Sequence, residues 1–436
     1  MKRHTGLLAA ILTATFIAPS AMAEPEQEQS IFPNDTLYVP VRAVVVSGDR
    51  AKARDLVALL YDRSEQHHSE PGAPRFLFLD REGKVAFGIG GYLKGTVSYD
   101  FDGAIDDGPD FTTYEIPAPF DPGQRNRLYG NANQSSILLQ LVGRSDRFGI
   151  YQMYIQTNFS GNGSSGYGLK LKQAYVKVGN LTVGLANSTF VDVNAATPVI
   201  DDEGPSGEMS RKNVLVRWTP KFGKGFSAGI GAEMPSVTYT TNATVKKISQ
   251  RFPDIPGYIQ YQWNGGKSHV RASGLLRELS YRDLATGRNH FKTGWAAQLS
   301  GMMNFLNDFT FFYQGAYGEG YGTYINDLGG NGFDLVYTDD AGKMEAPRMA
   351  NFEVGLRYNF SNKFYMAGSY SQARTFGARD LGEDTYRYSQ YVSVSGFLSL
   401  FDDVTVGLEY LHGTRTDYSG ISGHANRIEA MLKYSF

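Results

Sequence analysis

From about Val85 to the terminal Phe436 the chain alternates apolar and polar residues with period two, and this constrains its fold more than any other feature. The last segment is the clearest. Ile428, Ala430, Leu432, Tyr434 and Phe436 alternate with Arg427, Glu429, Met431, Lys433 and Ser435, where only Met431 breaks the pattern. In 351–360, Phe352, Val354, Leu356, Tyr358 and Phe360 alternate with Glu353, Gly355, Arg357 and Asn359. In 150–159 the wet positions are Gln152, Tyr154, Gln156 and Asn158, and in 211–218 Val214, Val216 and Trp218 oppose Arg211, Asn213 and Arg217. Side chains along a strand point alternately to its two faces, so each segment reads as a strand with one apolar and one wet side.

The connections narrow the choice. Short turns stand at 145–147, 179–180, 221–224, 264–267, 306–307, 361–362 and 402–403. Long polar loops lie between them near 100–135, 160–168, 189–210, 235–256, 281–288, 318–348, 375–385 and 413–424. Short and long connections alternate in transmembrane barrels, short on the periplasmic side and long outside. We count about sixteen strands, enough to leave an aqueous lumen. No blade-length repeat appears, which excludes a propeller. The expected fold is therefore all-β: a transmembrane, antiparallel, up-and-down β-barrel with a short periplasmic N-terminal extension.

Composition agrees. Hydrophobic residues make up only 42%, yet the chain carries 28 Tyr, 27 Phe and 50 Gly. A barrel needs an apolar residue only at every second position, so its mean hydropathy stays low. Aromatics at strand ends on the apolar side fit interfacial girdles. Beyond the leader no apolar run reaches the ~18 residues of a membrane helix.

The leader itself has Lys2 and Arg3, an apolar stretch at 7–18, and Ala21-Met22-Ala23. These are the three regions of a secretory signal, with cleavage expected after Ala23. The expected organisation is a signal peptide at 1–23, a periplasmic segment at 24–84 and the barrel at 85–436. Within the segment, 49–66 reads as a short helix with Leu56, Val57, Leu59 and Leu60 on one face. Cysteine is absent, so no disulfide framework or thiolate metal site exists. Basic residues number 42 and acidic ones 44; without Lys2 and Arg3 the balance is 40 to 44, which argues against a nucleic-acid partner.

Motifs for other chemistry are weak. Gly161-Asn162-Gly163-Ser164-Ser165-Gly166 matches GxGxxG, but a strand rather than a helix follows, so it reads as a hairpin loop. There is no GxSxG elbow. His67, His68, His269, His290, His412 and His424 show no pairing with a nucleophile or a second metal ligand. The acidic clusters Asp100, Asp102, Asp106, Asp107 and Asp201-Asp202-Glu203 suit Ca²⁺, but the commoner explanation is a solvated, lipopolysaccharide-facing charge run. A passive channel, a barrel enzyme and a surface adhesin are the competing classes, and the first is preferred. No cofactor or metal is expected.

The wet-face bases carry the functional argument. Arg144, Lys170, Lys172, Arg211, Arg217, Arg271, Arg277, Arg357, Arg427 and Lys433 lie at lumen parity. On the lipid face each would cost ~2–4 kcal/mol near the midplane, so they should point inward. A wall of one sign would attract anions. Pairing with Glu233, Glu353, Glu409 and Glu429, at the same parity, would instead give a neutral, stapled wall.

The stretch Leu169-Lys170-Leu171-Lys172-Gln173-Ala174-Tyr175, then Ser188-Thr189-Phe190-Val191-Asp192, then Asp201-Asp202-Glu203-Gly204-Pro205 resembles the DcaP-like family of outer-membrane porins. Arg211 to Trp218, Glu233-Met234-Pro235 and Pro253-Asp254 follow in the family's order. The resemblance spans roughly 85–436. It implies a homotrimer of sixteen-stranded channels for small, often anionic solutes such as dicarboxylates. The expected location is the Gram-negative outer membrane, with bilayer lipid and lipopolysaccharide around it. Tyr434-Ser435-Phe436 resembles the signal read by the barrel assembly machinery. By analogy with general porins, the third long loop, 189–210, should fold inward as the constriction. Its acids Asp192, Asp201, Asp202, Glu203 and Glu208 would then face Lys170, Lys172, Arg211 and Arg217. Arg271, Arg277, Arg357 and Arg427 complete the expected pore lining.

Overall fold

The computed structural model describes residues 44–48, 53–62, 66–103, 105, 110–162, 166–306, 308–376, 378 and 381–436. The expected signal peptide at 1–23, residues 24–43, Asp106, Asp107, Asn307 and the centre of the GxGxxG stretch lie outside the described residues.

The period-two segments form sixteen antiparallel strands that close on themselves. Strand β1 is Val85–Asp102, and β2 is interrupted, comprising Arg127–Asn131 and Ser136–Ser145. Then come β3 (Gly149–Asn158), β4 (Lys170–Val178), β5 (Leu181–Asn187), β6 (Lys212–Trp218), β7 (Phe226–Glu233) and β8 (Ile255–Trp263). The second half holds β9 (Ser268–Asp283), β10 (Asn289–Phe305), β11 (Phe309–Glu319) and β12 (Arg348–Asn359). The last four are β13 (Phe364–Thr375), β14 (Tyr386–Phe401), β15 (Val404–Asp417) and β16 (Ser422–Ser435). Closure runs from Ser435 opposite Tyr92 to Asn426 opposite Asp102. Phe436 and Gly91 exchange both backbone hydrogen bonds, at 3.0 and 2.9 Å, so the final residue completes the seam. A closed barrel leaves no unpaired edge for lipid to strand.

Burial follows the alternation. Val214, Val216 and Trp218 are about half exposed on the outer face, while Asn213 is buried inside. Gln156, Asn158, Glu353, Arg427 and Glu429 are likewise buried on the lumen side. Met431, the break in the last strand, faces inward and packs with Phe397 and Ile200. It is apolar because an inward loop covers it. Near the short turns Phe305, Phe309, Tyr358, Phe360 and Phe364 form a continuous run of ring contacts at the outer surface. Such belts suit the membrane–water interface.

Parity is broken at one informative place. Between β3 and β4 the register shifts after Gln156, because Lys172 is an extra residue in its strand. This bulge lets Lys172 and Gln173 both face the lumen, and re-aiming a side chain is a common use of bulges.

The segment before the barrel is built into it. The short helix α1 (Arg54–Leu60), within the expected 49–66, buries Leu56, Val57 and Leu60 and packs on β1 and β2. Leu59 is half-buried. Where β16 no longer reaches, a strand Phe76–Leu79 pairs with β1, Leu79 opposite Ala86, and Val44–Ser47 pairs alongside it. Between them, residues 66–74 pass along the inner wall. Gly88 and Gly90 make room, since a Cβ on either would come within 2.4 or 2.7 Å of Pro74.

Candidate functional site

A loop inside a barrel must find acceptors for its backbone N–H groups, because buried donors left unpaired are costly. The third long loop, L3 (188–211), does this with glutamates on the wall. Glu233 on β7 accepts from the N–H of Thr189 at 2.6 Å, and Glu353 on β12 from Thr197 at 2.9 Å. Glu409 on β15 accepts from Ile200 at 3.1 Å and Asp201 at 2.7 Å. Each glutamate has a glycine two residues away on the same face. A Cβ on Gly231 would come within 2.6 Å of Thr189, one on Gly355 within 2.0 Å of Thr197, and one on Gly407 within 2.6 Å of Ile200. The glycine gives the loop space and the glutamate holds it there. Each such bond contributes about 0.5–1.5 kcal/mol, and a buried N–H left without it would cost about 1–3 kcal/mol. The loop thus crosses the lumen from β7 to β15, and Asp202 reaches β1, where it bonds Lys94.

Two wall bases hold loops rather than line open space. Arg271 stacks on Tyr258, 3.7 Å from the ring centre, and donates to the carbonyl of Thr189. Arg277 is fully buried between Asp254 at 3.0 Å and Asp334 at 2.9 Å, and also donates to the carbonyls of Ser236 and Gly320. It ties the fourth long loop, L4 (234–254), to the sixth, L6 (320–347). Arg427, equally buried, forks onto Asp100 at 2.7 and 3.1 Å across the barrel seam. Arg217 donates to the carbonyl of Asn187, Arg357 lies over the Tyr365 ring, and Lys170 is exposed at the start of β4.

The loop acids divide as well. Asp192 accepts from Ser300 at 2.7 Å and lies 2.8 Å from His269; although burial opposes its charge, the His269 bond holds its carboxyl down at about 2. Asp201 accepts from the N–H of Phe111 and from the Tyr391 hydroxyl. Asp202, Glu203 and Glu208 instead line a cavity of about 180 Å³ beside L3. Lys172, Arg211 and Lys212 line the same cavity. Glu203 is pushed well above the usual carboxylate range by burial and by Asp110, Asp201 and Asp327 nearby. Burial and the neighbouring Asp202 and Asp201 push Asp110, in the first long loop, up to about 7.

Acids and bases therefore line one cavity. Bases come from the ends of β4 and β6, acids from L3. Among the described residues no three His, Asp or Glu stand around a common metal position.

Sequence reasoning did not single out Lys212, or the cavity residues His67 and Glu70 of the N-terminal segment. Lys212 follows Arg211 and falls out of simple parity at the strand start. His67 lies 3.1 Å from Glu208, 141 residues away, a contact with no local signal. L6 also departs from a plain surface loop: Tyr321, Tyr324, Ile325, Leu328 and Phe333 are buried in one cluster with Phe190 and Met209 of L3.

A family model described as the porin subfamily matches residues 122–430. No curated protein sequence matches. Among solved structures, the outer membrane channel DcaP of Acinetobacter baumannii is 20% identical, with a TM-score of 0.70, covering 82% of this chain and 99% of that one. An anion-selective porin from Comamonas acidovorans is 11% identical with a TM-score of 0.51, covering 81% of this chain and 100% of its own. OmpT, an outer membrane protein of Vibrio cholerae in a trimer form, is 11% identical with a TM-score of 0.50 over the same shares.

Proposed function

The chain belongs to the porin subfamily and forms an outer-membrane porin channel, and we propose that this channel passes small anions, dicarboxylates among them, by passive diffusion. The observation that carries this reading is the cavity beside L3, which Lys172, Arg211 and Lys212 line together with Asp202, Glu203 and Glu208. The glutamates nearest L3 on the wall, Glu233, Glu353 and Glu409, are bonded to the loop backbone. Their carboxylates are engaged by the loop, and no ion pair joins them to the three bases among the described residues. A solute carboxylate drawn to the basic side would meet charge-assisted donors, strong enough to orient it and shared over enough sites to release it. No chemical step is involved.

The likeness to DcaP and to an anion-selective porin agrees with this preference, and the trimer form of a similar structure agrees with a homotrimer. Lipopolysaccharide outside and the barrel assembly machinery during insertion are the further partners in this reading.

The test is the reversal potential in a salt gradient. Arg211→Ala with Lys212→Ala should move it toward cations and slow succinate uptake. Unchanged selectivity would sink the proposal.

A further inference from the structure

Glu70 comes from the segment before the barrel, yet its side chain is only 4% exposed against the inner wall. Its Oε1 accepts from the Gln173 amide at 2.7 Å and from the Asn187 amide at 3.1 Å, and the Lys212 ammonium stands 3.9 Å away. Gln173 spends its other amide hydrogen on Gln156, at 3.2 Å, which fixes the group's orientation. These donors come from β4, β5 and β6 and converge on one carboxylate oxygen. Lys172 lines the same cavity.

The segment is seated to deliver this carboxylate. Gly88 and Gly90 accommodate Pro74, the Tyr92 hydroxyl donates to the carbonyl of Ser69 at 3.0 Å, and Tyr61 donates to the carbonyl of Pro74. The N–H of Glu70 closes a turn onto His67, whose ring contacts Glu208 of L3. The neighbouring His68 ring accepts from the N–H of Val199, so the segment reaches the constriction itself.

We propose that Gln173, Asn187 and Lys212 form a carboxylate-binding site of the channel, and that Glu70 is a tethered carboxylate occupying it in competition with the solute. The inference rests on the anion preference proposed above and deepens it. A carboxylate that diffuses in has to displace Glu70, whose tether gives it a millimolar or higher effective concentration. Two neutral amide donors and one cation favour a carboxylate over chloride, because amide N–H groups at fixed positions match a planar acceptor with several lone pairs.

The experiment is single-channel recording in planar bilayers with succinate as the probe, on wild type, Glu70→Gln, Glu70→Ala and Lys212→Met. Folding of each is checked by heat-modifiable mobility. Glu70→Ala should lower the succinate concentration for half-maximal block by about tenfold or more, as removal of a tethered competitor requires. Glu70→Gln keeps the acceptor oxygen and the seat, and should give a smaller drop in the same direction. Adding Lys212→Met to Glu70→Ala should cancel the gain. An anion-selective wild type whose succinate response ignores Glu70 in both variants overturns this inference and leaves the channel's anion preference standing. A cation-selective wild type overturns the preference itself, and this inference with it.

Discussion

The carboxylate of Glu409 on β15 accepts the backbone N–H of Asp201 in L3 across 2.7 Å, joining residues 208 apart in sequence. Next to it, Ile200 rests where Gly407 has no side chain. The inward path of L3 is thus written into the wall as glycine–glutamate pairs rather than into the loop alone. Removing one glutamate leaves buried N–H groups unpaired, at about 1–3 kcal/mol each. Glu409→Ala and Gly355→Ala should both loosen L3 and give a larger, noisier conductance. Wild-type conductance in both would show that the loop is held by other contacts.

Arg277 should behave differently from the cavity bases. Its side chain is buried between Asp254 and Asp334, so truncation leaves two carboxylates without their cation. Breaking a buried pair costs about 3–5 kcal/mol. Arg277→Ala should lower the temperature at which the folded barrel melts, with the reversal potential unchanged. A selectivity shift without loss of stability would place Arg277 in the ion path instead.

The pH dependence has a definite sign. Desolvation raises Asp110 to about 7, and Asp327, desolvated beside Thr113 and Ser389, to about 6. Both carboxyls carry charge above these values and are neutral below them. A carboxyl whose folded value is raised costs stability as pH climbs from its unfolded value near 4 to its folded value. Acidification from pH 8 to 6 therefore removes negative charge from the loop side. Anion preference should rise over that interval, read by reversal potential. A fall would show that the charge of these acids does not govern the preference.

The alternation of short and long connections predicts the orientation in the membrane, with both mature termini expected in the periplasm and the long loops outside. Asp339 is exposed in L6, whereas Tyr324 of the same loop is buried. Asp339→Cys should react with an impermeant thiol reagent on intact cells, and Tyr324→Cys should not. Reaction of Asp339→Cys only after the outer membrane is broken would reverse the topology.

Phe436 closes the seam with Gly91 and ends the segment that resembles an assembly signal. Phe436→Ser keeps the backbone bonds and removes the ring. Less barrel should reach the membrane fraction. Normal levels there would show that the ring is dispensable for assembly.

The sequence by itself determined the barrel, its strand number and which residues face lipid. Those properties are local: period two, turn length and the cost of charge in hydrocarbon are all readable within a few residues. It also marked L3 as the inward loop, through chain order and analogy with general porins. Only the tertiary structure decided what each inward charge does. Arg277 and Arg211 have the same parity and the same charge, yet one is sealed between Asp254 and Asp334 and the other lines the cavity. Glu353 reads as a partner for wall bases, but its oxygens receive Thr197 and Gln314. Lys172 and Gln173 share a face only because of a bulge, and Glu70 reaches Gln173 from 103 residues away. Strand periodicity records which side of the wall a residue is on. It holds no information about which distant loop arrives there, because that depends on paths through the lumen fixed by glycine-made space and by the need to satisfy every buried N–H.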